Sequence, residues 1–420
     1  MGWIWAIIVG FLAGIVARWI TPGPQPTGFI LTTVLGSAIV ACGGDADPEL
    51  ARPVIDTLPN GVVTVHNTGP AGWADTSGWR LVETARIVAS DSGDEAIVNP
   101  SGIVIDPGGR MYVEDRAPLA IKVFDRSGAF VRTIGREGDG PGEYRSPIMG
   151  VHGPHLVVQD PRLARLTVYD TSGTLVRSWP SACCHYRSIA VDAEGRIMVA
   201  APSEMKPEFS DAFLRFTIEG ELIDTVWVPK GGEPQYWEVS IRGGRMRRSI
   251  PFSPTDAEAF TPDGLLAHAW TANYRYALIR PPHDTVRVVS KAWTPVERPE
   301  SQRRRVFDGI VEQQTKQIGA EAVARTYHFE DIPATATPIS GFEIDPAGYA
   351  WIASFTGDTL HRAFDVFDTE GVYLGRVPAP WGADTYVQWR GADELVTLGE
   401  SEDGLPEIVR YRIDKSQVMR

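Results

Sequence analysis

The sequence predicts an all-β fold: a six-bladed β-propeller carrying one inserted amphipathic helix and preceded by a hydrophobic N-terminal segment. Three observations predict it. The first is a recurring strand, Asp-x-x-Gly turn and second strand at Ile103–Val113 (IVIDPGGRMYV), Ile189–Val199 (IAVDAEGRIMV) and Phe342–Ile352 (FEIDPAGYAWI), with a shortened copy at Phe260–Ala269 (FTPDGLLAHA). The second is another hairpin pattern with its turn in the middle: Lys122–Ile134 (KVFDRSGAFVRTI), Thr167–Trp179 (TVYDTSGTLVRSW), Arg215–Trp227 (RFTIEGELIDTVW) and Asp365–Val377 (DVFDTEGVYLGRV). The third is the spacing: Asp125 and Asp170 stand 45 residues apart, and Asp106 and Asp192 stand 86 apart, about two periods of 43. The HGPH turn at His152–His155 falls in that interval. Apolar and polar residues alternate on both sides of each turn, the period of a strand. Two hairpins per period make one four-stranded blade, and about 360 residues hold about six blades.

Taken in chain order, the first element is apolar. Residues 1–41 form a membrane or signal segment with two apolar runs, 3–20 and 28–41. Eighteen residues are just long enough to span a bilayer, and fourteen fit a signal-peptide core better. The second run ends in IVAC at Ile39–Cys42, followed by GGDADPE. This resembles a bacterial lipobox, and the resemblance implies that residues 42–58 are a lipid-attachment cysteine, Cys42, and a polar tether; the competing reading is an ordinary cysteine at the end of a hydrophobic segment. Arg18 is the lone charge near the break, so the positive-inside rule places residues 18–27 in the cytoplasm and everything after Cys42 outside the inner membrane.

The propeller is expected over residues 59–415. Within it, GREGDGPGEY (Gly135–Tyr144) packs four glycines into eight residues. It follows an outer hairpin and precedes an inner strand, so it reads as the connector between blades. A phosphate-binding loop would need a helix after it and usually a Lys-Ser/Thr pair, and neither is present. The insertion, about 299–326, has Phe307, Val311, Ile318 and Ala322 at helical spacing, with Pro299 able to open the first turn. It is expected as one helix that precedes the final blade and covers one rim.

Composition excludes several functions. The chain of 420 residues carries a formal charge of −13, which disfavours nucleic acid as a partner. The basic exception is Arg242–Ser249 (RGGRMRRS), a solvated loop or an anionic-ligand patch. Three cysteines, Cys42, Cys183 and Cys184, cannot build a disulfide framework, and no zinc-finger spacing occurs. Cys183-Cys184-His185 reads as small residues beside a turn, ahead of a vicinal disulfide or a soft-metal site. There is no GxSxG nucleophile elbow, no HExxH and no haem-attachment motif. His152, His185 and His268 fall in different blades and could converge on a channel metal. Asp106, Asp192, Asp263 and Asp345 recur at one blade position, which points to turn capping.

Two resemblances add to this. Residues 1–36 resemble the small transglycosylase-associated (GlsB/YeaQ) membrane proteins through G-x-(I/L)-A-G, a basic residue near the helix end and P-G-x-x-P-x-G-F-I-x-T-x-x-L-G. The body resembles bacterial NHL-like six-bladed β-propeller lipoproteins. The motifs are GVVTVHN near Gly61, WRLVETARI near Trp79, IDPGGRMYV, KVFD-x-x-G, TIGR-x-G-x-GPGEY, the late helix and GFEIDPAGYAWI. The likeness implies ring closure by Val62–His66 on Ile408–Ile413 of the last blade. It also implies lipidation at Cys42 and a location in the bacterial cell envelope, membrane-anchored, with the propeller on the periplasmic side. The function expected is that of a monomeric binding or scaffold module for an envelope protein, peptide or glycan, without a cofactor. The alternative is a lactonase-like hydrolase or lyase using a divalent cation in the propeller channel.

Overall fold

The computed structural model describes residues 53–415 apart from 74–77, 89–91, 183–186, 188, 203–207, 242–243, 356, 358–362, 382–384, 390, 392 and 402. The two N-terminal apolar runs and Cys42 lie outside the described residues. Among the described residues no helix is long and apolar enough to cross a membrane.

Six antiparallel sheets follow one another along the chain. Blade 1 runs Pro100–Ile105, Met111–Arg116, Leu119–Phe124 and Phe130–Ile134. Blade 2 runs Ile148–His152, His155–Asp160, Arg165–Tyr169 and Leu175–Pro180. Blade 3 runs Ala190–Val191, Ile197–Ala201, Phe209–Phe216 and Leu222–Pro229. Blade 4 runs Asp256–Phe260, Leu266–Trp270, Arg275–Arg280 and Asp284–Lys291. Blade 5 runs Gly341–Ile344, Ala350–Ser354, Ala363–Phe367 and Tyr373–Pro378. Blade 6 takes Tyr386–Trp389, Glu394–Glu400 and Pro406–Asp414, and its fourth strand is Arg80–Val88 from the start of the body.

The second strand of each blade is largely buried on both faces, so its middle is mostly apolar. The alternation then decides which neighbour each residue meets. Met111 and Val113 pack toward blade 6, while Tyr112 packs toward blade 2. Ile197 and Val199 face blade 2, while Met198 and Ala200 face blade 4. One buried cluster fills each of the six interfaces. These clusters draw on described residues from Val63 to Ile413, and the body from Arg52 onward is one compact unit. Each fully buried Ile, Leu or Met contributes about 1.5–3 kcal/mol.

The ring closes in the last blade, as the resemblance implied, but through a different strand. Arg80–Val88 pairs antiparallel with Pro406–Asp414. Val63–Asn67 instead pairs parallel with the outer strand of blade 4, and Val54–Thr57 pairs in turn with it, making a six-stranded sheet. The reason is connectivity. The closing strand must hand the chain to the inner strand of blade 1 at Pro100, and Arg80–Val88 does so over a short link. Asn67 fixes the displaced strand: its Nδ2 donates to the carbonyls of Ser290 and Gly371, and its Oδ1 accepts from the Tyr373 amide.

The glycine-rich connector lies between blades 1 and 2, where Arg136–Glu137 and Glu143–Tyr144 form a short parallel pair. Gly135 has φ +69°, and a Cβ there would lie 2.1 Å from the ring of the buried Tyr144.

The insertion departs from expectation in three ways. It is two helices, α1 (Glu300–Ile318) and α2 (Ala320–Thr326), parted by Gly319 at φ +86°. That left-handed residue resets the helical phase, so Val323 rather than Ala322 reaches the buried side. Two blades follow it, not one. The helices pack on a hairpin, Tyr236–Ile241 with Gly244–Ser249, inserted between blades 3 and 4. Trp237, Val239, Val323, Tyr327 and Ile332 form their shared core, flanked by Phe307, Val311 and Ile318.

Candidate functional site: the axial cavity

A cavity of about 1050 Å³ runs along the propeller axis, lined by the inner strands of all six blades. Its walls include Val104 and Ile105 of blade 1, Met149 of blade 2, Ile189 and Val191 beside blade 3, Phe260 of blade 4, Phe342 of blade 5 and Val387 of blade 6. These inner strands run in the same sense along the axis. Their first residues therefore mark one mouth and their last residues the other.

Charge gathers at the first mouth, on the wall made by blades 3 and 4. Arg187 precedes the inner strand of blade 3, and Asp256 and Glu258 lie on that of blade 4. Arg187 Nη1 is 2.8 Å from Glu258 Oε2 and 3.4 Å from Asp211 Oδ2. Both carboxylates are about nine-tenths buried, while the arginine side chain keeps 40% of its surface. Burial opposes the guanidinium charge. Glu258 first, then Asp211 and Asp256, outweigh it and hold Arg187 above its ordinary pKa. Glu258 Oε1 is buried without a hydrogen-bond partner. Nε2 of His268 donates to Asp256 Oδ1 at 2.8 Å. Further along the axis, Trp389 Nε1 donates to Glu343 Oε2 at 2.7 Å. Around the first mouth and its immediate backing, one arginine and one histidine thus stand against the carboxylates of Asp211, Asp256 and Glu258. The wall opposite, of blades 6 and 1, is mostly apolar, with Val104, Ile105 and Val387 beside Gln388.

The second mouth is structural. Asp192 Oδ1 accepts the amides of Glu194 and Arg196, and Asp345 Oδ1 those of Ala347 and Tyr349. Asp106 accepts the Arg110 amide. These three are turn caps, as the sequence indicated. Asp263 is not the fourth: Thr261 holds that position, its Oγ1 accepting the Leu265 amide, and Asp263 accepts the Thr261 hydroxyl. The turn is not shortened: its backbone hydrogen bonds match those of the Asp106 turn, and Thr261 stands in the capping position with Asp263 two residues after it. Burial pushes the Asp345 carboxyl above its usual range, against the hydrogen bonds of Trp351, Tyr349 and Ala347.

Of the three histidines expected to converge, the two described ones, His152 and His268, do not meet. His152 ends its strand at the second mouth, whereas His268 lies behind the first, paired across the sheet from Glu258. Cys183, Cys184 and His185 lie outside the described residues. Among the described residues no group of three or more His, Cys, Asp or Glu is placed to hold a metal ion. Arg187, Asp211, Asp256, Glu258 and Glu343 were not singled out from sequence. The available signal was a charged residue on an inner strand where its neighbours are apolar, as in DAEAF and GFEI.

Residues 93–172, about a fifth of the chain, match the profile of the family described as DUF5128, 6-bladed β-propeller. No curated protein matches the chain. Among solved structures, similar ones include a Bacteroides fragilis protein described as exported, at 12% identity and TM-score 0.48, covering 84% of this chain and 100% of the other. A DUF4221 member from Bacteroides vulgatus matches at 10% identity and TM-score 0.48, covering 80% and 98%. The calcium-binding protein regucalcin from Agrobacterium tumefaciens matches at 12% identity and TM-score 0.37, covering 80% and 95%.

Proposed function

We propose that this chain is an NHL-like, membrane-anchored binding module of the bacterial envelope, held through residues 1–42, whose axial cavity receives a basic side chain of a peptide or protein. The observation that carries the reading is the carboxylate-rich wall. Asp256 and Glu258 on the cavity wall, with Asp211 behind them, outnumber the arginine and histidine set among them, and among the described residues Glu258 Oε1 has no hydrogen-bond partner. A ligand ammonium or guanidinium meets an acceptor already aimed and already desolvated, which is the condition for a strong charge-assisted bond. The apolar wall opposite takes the ligand's aliphatic stem.

The test is calorimetric titration of residues 45–420 with a tri-lysine peptide and with its fully acetylated form. The expected result is salt-sensitive binding of the first only, weakened tenfold or more by Glu258→Gln. Equal binding of both forms, or a Glu258→Gln variant that binds like the parent, would overturn the reading. Metal analysis with and without EDTA covers the hydrolase or lyase alternative. A stoichiometric divalent ion whose removal lowers the melting temperature would replace the peptide reading with a channel metal.

A further inference from the structure

Three parts of the chain meet on one face of the propeller beside blade 4. In a four-stranded antiparallel blade the outer strand ends on the face where the next inner strand begins, so all blade connectors share that face. The hairpin Tyr236–Ser249 belongs to the connector from blade 3 to blade 4, and α1 and α2 to the one from blade 4 to blade 5. The chain also enters the body there. Val54 pairs with His66, and His66 with Ser290, next to the end of blade 4's outer strand. Ten residues separate Cys42 from Pro53, a reach of about 40 Å at full extension.

The hairpin has two different faces. Trp237 and Val239 pack inward on the helices. Tyr236, Glu238, Arg245 and Arg247 form the other face, and all four are exposed. Arg245 and Arg247 share the single acid Glu238 at 3.7 and 3.5 Å, and Arg247 lies over the Tyr236 ring. Four arginines and one glutamate occupy Tyr236–Ser249, in a chain whose net charge is −13. At physiological salt, charges beyond about 8 Å are screened, so a surface touching this face meets the local positive charge and not the distant excess of acid.

We propose that the outer face of this hairpin docks on an anionic lipid bilayer, with Arg245 and Arg247 on lipid phosphates and Tyr236 at the headgroup level. This rests in part on the reading that the N-terminus is membrane-held. The chain enters the body on this connector face ten residues after Cys42, and the hairpin's buried core leaves the basic face outward. Charge complementarity and the amphipathic tyrosine select lipid as the occupant.

The test is sedimentation of residues 45–420, which contain the compact unit of the body, with vesicles of phosphatidylcholine alone and of phosphatidylcholine with phosphatidylglycerol. The expected result is low-salt partition onto the anionic vesicles only, reversed by high salt. A surface arginine is worth about fivefold in partition, so Arg245→Glu with Arg247→Glu lowers it roughly twenty-fivefold or more. The urea midpoint of that double variant stays at the parent value. Absence of binding to anionic vesicles, equal binding to neutral ones, or an unaffected double variant would overturn the proposal. Polyglutamate competing as well as vesicles would overturn it too, by making an acidic protein the occupant. The tether is tested apart, by membrane fractionation of full-length Cys42→Ser: its retention in the membrane fraction would remove lipidation and leave the vesicle result standing.

Discussion

Replacing Arg187 with Met keeps most of the aliphatic stem and removes the guanidinium from between Glu258 and Asp211. Breaking a fully buried ion pair from one side costs about 3–5 kcal/mol. An exposed pair is worth about 0–1 kcal/mol. Arg187 keeps 40% of its side-chain surface while its two partners are about nine-tenths buried, so the cost falls between these limits, about 1–3 kcal/mol. With a urea slope of about 3 kcal/mol per M, the midpoint drops by roughly 0.3–1 M. Urea unfolding of parent and variant reads this directly, and no deficit at all would refute the electrostatic account of the wall. Adding Glu258→Gln and Asp211→Asn should return part of the loss, measured as a coupling energy in the combined variants.

Asp365 is fully buried between blades 4 and 5 and accepts from Arg376, from the hydroxyls of Tyr274 and Tyr373, and from Lys291 at 3.4 Å. Burial pushes its carboxyl up, but Arg376, Lys291 and Tyr274 outweigh that and hold it below the usual range. Asp365→Asn is expected to cost about 3–5 kcal/mol at neutral pH. The gap should persist above the unfolded carboxyl value of about 3.9 and close as pH falls through the lower folded value, in urea titrations across that range. Gly135→Ala adds a Cβ 2.1 Å from the Tyr144 ring at a positive φ, for an expected loss of about 2–4 kcal/mol by urea midpoint. Gly61→Ala, at φ +84° with open space around it, should lose only the backbone part, about 1–2 kcal/mol.

The repeat was legible because each blade carries its own record of local physics. Asp106, Asp192 and Asp345 stand where a side-chain oxygen caps a turn, and the mostly apolar stretches after them mark strands buried on both faces. The connector at Gly135–Tyr144 was legible for the same reason, since its glycines answer a local backbone demand. The helix was legible in its period, and its break was not. Gly319 is one glycine among 42, and sequence does not say which of them takes positive φ in mid-helix.

Sequence by itself determined the fold class, the blade period and the capping residues, because these depend on contacts within a few residues or on an alternation repeated in every blade. Tertiary structure decided which N-terminal strand closes the ring and where Val63–Asn67 pairs instead. Two strands with the same alternation compete for one edge, and only the closed ring tells them apart. It also decided that Arg187, Asp256 and Glu258 meet on one cavity wall with Asp211 and His268 behind it. Those residues span Arg187 to His268 in the chain, and no spacing rule connects them. Their proximity comes from rolling separate blades about a common axis, a long-range property that local pattern does not encode.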